Sequence, residues 1–154
     1  MEYRNELQIA KKAEKMLTSA LQQKTSTFSQ HYKGKKEGEQ SMKDAHAKAR
    51  IKRYGKKKDG NQQIFMRSLA IRMARHGFIQ HYGVDTIRAG GERESKKGKK
   101  YSFAAHYFKM NARPFIDNAI EQSSVVDFVA DNVGQLRADA FGEELLFNLK
   151  LFTR

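Results

Sequence analysis

The chain has 154 residues, 39% of them apolar and 31% charged, with 30 Lys or Arg against 17 Asp or Glu, a formal charge of +13. That length closes one hydrophobic core and is short for two, so residues 1–154 are expected to form a single domain. The absence of cysteine excludes disulfides and thiolate metal sites, and no run approaches the roughly 18 apolar residues of a spanning helix, so a soluble intracellular protein with no secretion signal is expected.

The charge is unevenly placed. Residues 1–114 carry 27 basic and 10 acidic side chains, whereas residues 115–154 carry 3 and 7. A strongly basic body followed by an acidic end suits polyanion binding. It suits equally a protein that stacks head to tail, acidic patch against a neighbour's basic one.

In chain order, Tyr3 to Lys24 places Leu7, Ala10, Ala13 or Glu14, Leu17 and Leu21 at steps of three and four, with Ile9, Met16 and Ala20 beside them, which predicts a long amphipathic helix. Thr25-Ser26-Thr27 competes with helical hydrogen bonding and stops it. From Lys33 to Gly60 there are eleven Lys or Arg, four acids and four glycines, with almost no large apolar residue. This reads as a basic, mobile insert, within which Ser41 to Arg53 is compatible with a solvent-exposed helix.

Gln62 to Arg75, with Ile64, Phe65, Met66, Leu69, Ala70, Ile71, Met73 and Ala74, reads as a buried central helix capped by Asp59 or Asn61 and closed by Gly77. The period then changes. Val84–Arg88 and Tyr101–Phe108 read as two strands, the second with Tyr101, Phe103, Ala105 and Tyr107 on one face, joined by a polar stretch at 90–100. Together they predict an antiparallel hairpin with a projecting, flexible basic tip.

Pro114, the single proline, is placed to begin a helix through Phe115, Ile116, Ala119 and Ile120. Ser124 with Asp127 has capping-box spacing and opens a further helix through Phe128, Val129, Val133, Leu136 and Ala140, interrupted at Gly142. Glu143 to Phe152 presents Leu145, Leu146, Leu149 and Phe152 as an apolar face for this domain or a partner. The fold class expected is α+β: a long N-terminal helix, a buried central helix, a small antiparallel hairpin or sheet, and C-terminal helices packed on the sheet.

Chemistry is sparse. His76 and His81 are five apart, without the i, i+4 spacing of a helical zinc pair, and His106 reads as a packed or surface group. Glu92 with Glu94 and Glu143 with Glu144 lie in solvated stretches where nothing raises a carboxyl pKa, and Gly90-Gly91 lacks a phosphate-binding context. No catalytic, metal or cofactor residue is assigned, and no enzyme activity is expected. The lysine clusters Lys35, Lys36, Lys56, Lys57, Lys58, Lys96, Lys97, Lys99 and Lys100 are the candidate polyanion or partner contacts.

His76-Gly77-Phe78-Ile79-Gln80-His81-Tyr82-Gly83, then a hairpin, then Lys109-Met110-Asn111-Ala112-Arg113-Pro114-Phe115-Ile116-Asp117-Asn118-Ala119-Ile120, resembles the small head-tail joining and tail-completion proteins of long-tailed bacteriophages and prophages. The resemblance covers about residues 61–140. Its most specific part is Ala112, Arg113, Pro114, Phe115, Ile116 and Ala119, a structural signature in which Ile116 stands where the family has leucine. A longer basic insert and a missing threonine-glycine pattern depart from that family.

The resemblance implies a non-enzymatic virion assembly protein that forms a homo-oligomeric ring at the head-tail junction or tail end. Its partners would be connector and tail-tube proteins, with non-specific DNA contact through the basic loops. It would be located in the bacterial host cytoplasm during assembly and then in the virion. The alternative on composition is a basic nucleic-acid-binding module using the lysine-rich loops.

Overall fold

In a computed structural model, residues 3–28, 41–55, 62–96 and 98–152 are described. The mixed α+β class expected from the sequence is what the chain adopts. Helix α1 spans Glu6–Thr25 and opens on Asn5, whose side chain accepts from the Gln8 N–H at 3.1 Å. Its buried stripe, Ile9, Ala10, Ala13, Leu17, Ala20 and Leu21, follows the three-four spacing. The small side chains of Ala10, Ala13 and Ala20 in that stripe keep the helix surface low, which lets neighbouring elements pack close to its backbone.

The next segments correct the sequence reading. Ser41 caps a 3-10 turn at Met42–Asp44 through a reciprocal capping box with Asp44, and strand β1 follows at His46–Tyr54. Neither an exposed helix nor a wholly mobile insert accounts for this span, because Met42, Ala45 and Ala47 belong to the core. Gln63–Arg72, read as the buried central helix, is strand β2, antiparallel to β1 in the register Ala47↔Ile71, Ala49↔Leu69 and Ile51↔Met66. A bulge between Arg50 and Ile51 leaves Arg67 as the extra residue.

The central helix of the protein is α1. One face of the β1–β2 ribbon lies on it, and the match is polar as well as apolar. Thr18 Oγ1 accepts the Ala47 N–H at 3.0 Å and Glu14 Oε1 accepts the Ala49 N–H at 2.6 Å. Four helical residues rise about 6 Å and two strand residues about 6.7 Å, so helix side chains at i and i+4 meet strand amides at j and j−2.

Helix α2, Arg75–Tyr82, contains Gly77 in its first turn; Gly83, at φ 76°, closes it instead. An added Cβ at Gly83 would sit 2.6 Å from the Met110 carbonyl oxygen and 2.8 Å from the Ala112 nitrogen, so both the left-handed backbone and the close approach require glycine. Beyond it rises a hairpin in two storeys. Strand β3, Val84–Arg88, pairs with β6, His106–Met110, and β4, Gly91–Glu94, pairs with β5, Lys100–Phe103. The single long strand expected at 101–108 is thus divided at Ala104-Ala105.

Helix α3, Phe115–Ser123, follows Pro114 as its N-cap, one position earlier than expected. Ser124 does not open a capping box; it adopts the left-handed conformation at φ 48° and turns the chain into α4, Val125–Phe152, which continues through Gly142 without a break. Both C-terminal helices pack chiefly on α1 rather than on a sheet. Among the described residues no helix is long and apolar enough to cross a membrane.

Candidate interaction surfaces

Among the described residues three surfaces stand out: the two-storey hairpin, the end of α4, and the outer face of the β1–β2 ribbon.

The hairpin projects because Gly83 and an Arg113 N–H to Gln80 carbonyl bond at 3.0 Å fix its base, while nearly all its residues face solvent. At the division between storeys an added Cβ on Gly90 would meet the Phe103 oxygen at 2.7 Å. Glycine there lets the strands close and kink. Cross-strand pairing places Thr86, Arg88, His106 and Phe108 on one side, continued by Gly91, Arg93, Tyr101 and Phe103.

The Arg88 guanidinium stacks over Phe108 at 3.6 Å and that of Arg93 over Phe103 at 4.8 Å. With Ala89, Tyr101 and His106 these arginines line an open depression of about 510 Å³. The acids Asp85, Glu92 and Glu94 alternate onto the other side, where the Tyr107 hydroxyl donates to Asp85 at 2.5 Å. That bond to Asp85 holds the Tyr107 phenol above its ordinary pKa. Ile87, Tyr101 and Tyr107 are all more than half exposed.

The tip is tighter than the sequence suggests, since strand pairing persists to Glu94↔Lys100. The Ser95 N–H donates to the Lys99 carbonyl at 2.8 Å and the Lys99 N–H to Ser95 Oγ at 3.2 Å, closing the turn. Lys96, Lys99 and Lys100 are exposed around it. Lys35, Lys36, Lys56, Lys57, Lys58 and Lys97 lie outside the described residues.

Helix α4 leaves the body of the protein beyond Arg137. Residues 138–152 extend it by about 22 Å. Along that length Phe141, Leu145, Leu146, Phe147 and Leu149 are 47–64% exposed, with Asp139, Glu143 and Glu144 among them. Five large apolar side chains on one solvated helical end exceed the scattered exposure usual for a monomer. Val125, Phe128 and Val129 hold the start of α4 to the core, and where the helix leaves the body the Arg137 guanidinium meets the buried Glu6 carboxylate.

The residues of the expected signature divide in two. Phe115, Ile116 and Ala119 are buried against α1, while Ala112, Arg113 and Pro114 are exposed. The sequence reading packs the C-terminal helices on the sheet; here α1 receives these side chains. His81 completes the junction: its Nδ1 accepts the Ile116 N–H at 3.4 Å, its Nε2 lies 3.6 Å from Asp117 Oδ2, and its ring meets Phe115 edge-on. It is a packed histidine. His106 faces the hairpin depression and His76 is exposed, so the three serve different places. Among the described residues no group of three His, Asp or Glu could hold a metal ion.

Two sets of residues escaped the sequence reading. Glu6 looked like one more charge in a first helical turn. Lys48, Arg50 and Lys52 were submerged in a lysine-rich tract, although their alternation with Ala47, Ala49 and Ile51 is the period of a half-buried strand. Comparison of the chain with protein-family models, with curated proteins and with solved structures finds no match.

Proposed function

We propose that the protein is a non-enzymatic assembly factor that forms a homo-oligomeric ring through subunit contacts, of the head-tail joining or tail-completion kind found in long-tailed bacteriophages. The observation that carries this reading is the end of α4, where large apolar side chains and acidic ones lie together and are solvent-exposed among the described residues. The basic, aromatic hairpin is its counterpart in charge and in apolar character. Two different complementary patches on one chain make a heterologous contact, which closes into a ring when the rotation per subunit divides a full turn. The Ala112–Ala119 string supports the phage assignment, and connector and tail-tube proteins are the further partners this reading names.

The experiment is sedimentation velocity on the wild type and on a Phe141→Ser/Leu145→Glu variant. Both positions are solvent-exposed, so the fold should persist by circular dichroism while the oligomer falls to monomer. An oligomer of unchanged size in the variant contradicts the assignment of α4 as the subunit contact.

A further inference from the structure

The face of the β1–β2 ribbon turned away from α1 is the most uniformly cationic surface among the described residues. Strands β1 and β2 together contain six Lys or Arg and no Asp or Glu. Lys48, Arg50 and Lys52 project from one face at every second residue, about 6.7 Å apart, and each is exposed. Their partners across the ladder are Ala70, Ser68 and Phe65. Arg72 lies at one end of this strip; at the other, the bulged Arg67 donates to the Tyr54 hydroxyl at 2.6 Å.

Among the described residues none of these cations forms an ion pair. Glu14 is bound to the Ala49 N–H, Glu6 to Arg137, and Asp44 to the Ser41 N–H. Lys52 lies over the Tyr54 ring at 4.7 Å, and with Arg67 it holds that phenol below its ordinary pKa. Beside Tyr54, an open depression of about 700 Å³ is lined by Gln63, Phe65, Met66, Arg67 and Arg137.

We propose that this face of the ribbon binds the sugar-phosphate backbone of nucleic acid, independently of base sequence. A linear row of cations at strand period suits a linear row of phosphates, whose neutralisation releases counterions. Between the cations the ribbon presents the small side chains Ser68 and Ala70, which leave room for a backbone to lie close. An acidic protein partner would need apolar anchors at the centre of the contact, and the centre of this strip offers none. Tyr54 and Phe65, edge to face at 5.6 Å, sit at the end of the row, where a base released from a single strand would stack. The strip is separate from the lysine-rich hairpin tip and from the α4 end, so it stands whether or not the protein forms a ring.

The test is fluorescence anisotropy of the full chain with a labelled 20-base-pair duplex and with a 20-nucleotide single strand, from 50 to 200 mM salt. The variant is Lys48→Gln/Arg50→Gln/Lys52→Gln, the control of equal charge change is Lys11→Gln/Lys12→Gln/Lys15→Gln on the exposed side of α1, and Lys96→Gln/Lys99→Gln/Lys100→Gln in the hairpin tip is a competing-site variant. Wild type should bind the duplex with a steep salt dependence, and the ribbon variant should lose about 2.7 from the log-log slope for three contacts, or about 2 on the single strand. At 100 mM salt its affinity should fall by roughly two orders of magnitude, whereas the control keeps most of its binding. A stronger effect on one probe identifies which form of nucleic acid is preferred. Absence of wild-type binding, an unchanged slope in the ribbon variant, or loss confined to the hairpin-tip variant would overturn the proposal. Displacement of the duplex by polyglutamate at equal charge concentration would do the same, assigning the strip to an acidic protein.

Discussion

The Glu6 carboxylate, 2% exposed, receives the Arg137 guanidinium in a two-point contact, Nε to Oε1 at 2.7 Å and Nη2 to Oε2 at 3.2 Å, across 131 residues of sequence. Oε2 also accepts the Met66 N–H at 2.5 Å, from the strand beside the β2 bulge. One side chain therefore ties the first turn of α1 to β2 and to the point where α4 leaves the body. The hydrogen bond to Glu6 raises the Arg137 pKa above its already basic ordinary value. Glu6→Ala should destabilise the fold by about 3 kcal/mol, because it strips a part-buried amide and a guanidinium of their acceptor at once. Arg137→Ala should cost about 1 kcal/mol, since that side chain is half exposed and its loss leaves Glu6 with the amide. Urea titration of the two single variants and the double variant checks both values and their coupling.

The helix-to-strand acceptors make a residue-specific prediction. Thr18→Val and Glu14→Ala remove the partners of the Ala47 and Ala49 amides. Each should lower stability by about 1 kcal/mol, and hydrogen exchange should quicken at Ala47 for the first variant and at Ala49 for the second. Uniform loss of protection across β1 would mean that the contacts are incidental to a strand held only by β2.

At the base of the hairpin, Gly83→Ala should cost about 2 kcal/mol or more, since it adds a Cβ against backbone atoms and strains a positive φ. Ser124 is the converse case, a serine held left-handed at φ 48°, so Ser124→Gly should be neutral or stabilising by up to about 1 kcal/mol. Thermal melts of both variants test the opposite signs.

Two tyrosines should titrate on either side of the ordinary phenol. Tyr54, beside Lys52 and Arg67, should ionise early, and Tyr107, donating to Asp85, should ionise late. Absorbance at alkaline pH should therefore lose a component below the ordinary phenol range in Tyr54→Phe and one above it in Tyr107→Phe. The linkage signs differ. A raised folded pKa means that the Tyr107 contribution is present below its unfolded pKa and lost as pH climbs through the folded one, whereas the Tyr54 contribution appears above the unfolded pKa and is lost as pH falls through the lowered one.

Legibility of the sequence followed the strength of its periods. The α1 stripe and the Phe115-Ile116-Ala119 turn were readable because each gathers its buried residues at helical steps of one, three and four. Gln63–Arg72 misled because apolar residues stand on both faces of β2: Met66, Leu69 and Ile71 pack against the core, while Phe65 contacts Tyr54 at the ribbon edge and sits under Arg137. A strand used on both sides has no alternation to read. In β1 the alternation was present, but its inward residues are the small Ala47 and Ala49, which suffice because α1 also presents alanines. The apolar face at Leu145, Leu146 and Leu149 was legible from helical spacing, and the structure leaves those side chains exposed; the Phe152 side chain lies outside the described part. The Glu6–Arg137 pair was beyond reach, since no local pattern joins residues so far apart.

The central claim is self-assembly through the α4 end, and the most direct measurement is mass by light scattering across protein concentration and salt, with and without a short DNA duplex. The account predicts a discrete species of several subunits that forms without DNA and is lost in Phe141→Ser/Leu145→Glu. A wild-type protein that stays monomeric at every concentration, or gains mass only when DNA is added and loses it again with salt, would contradict it.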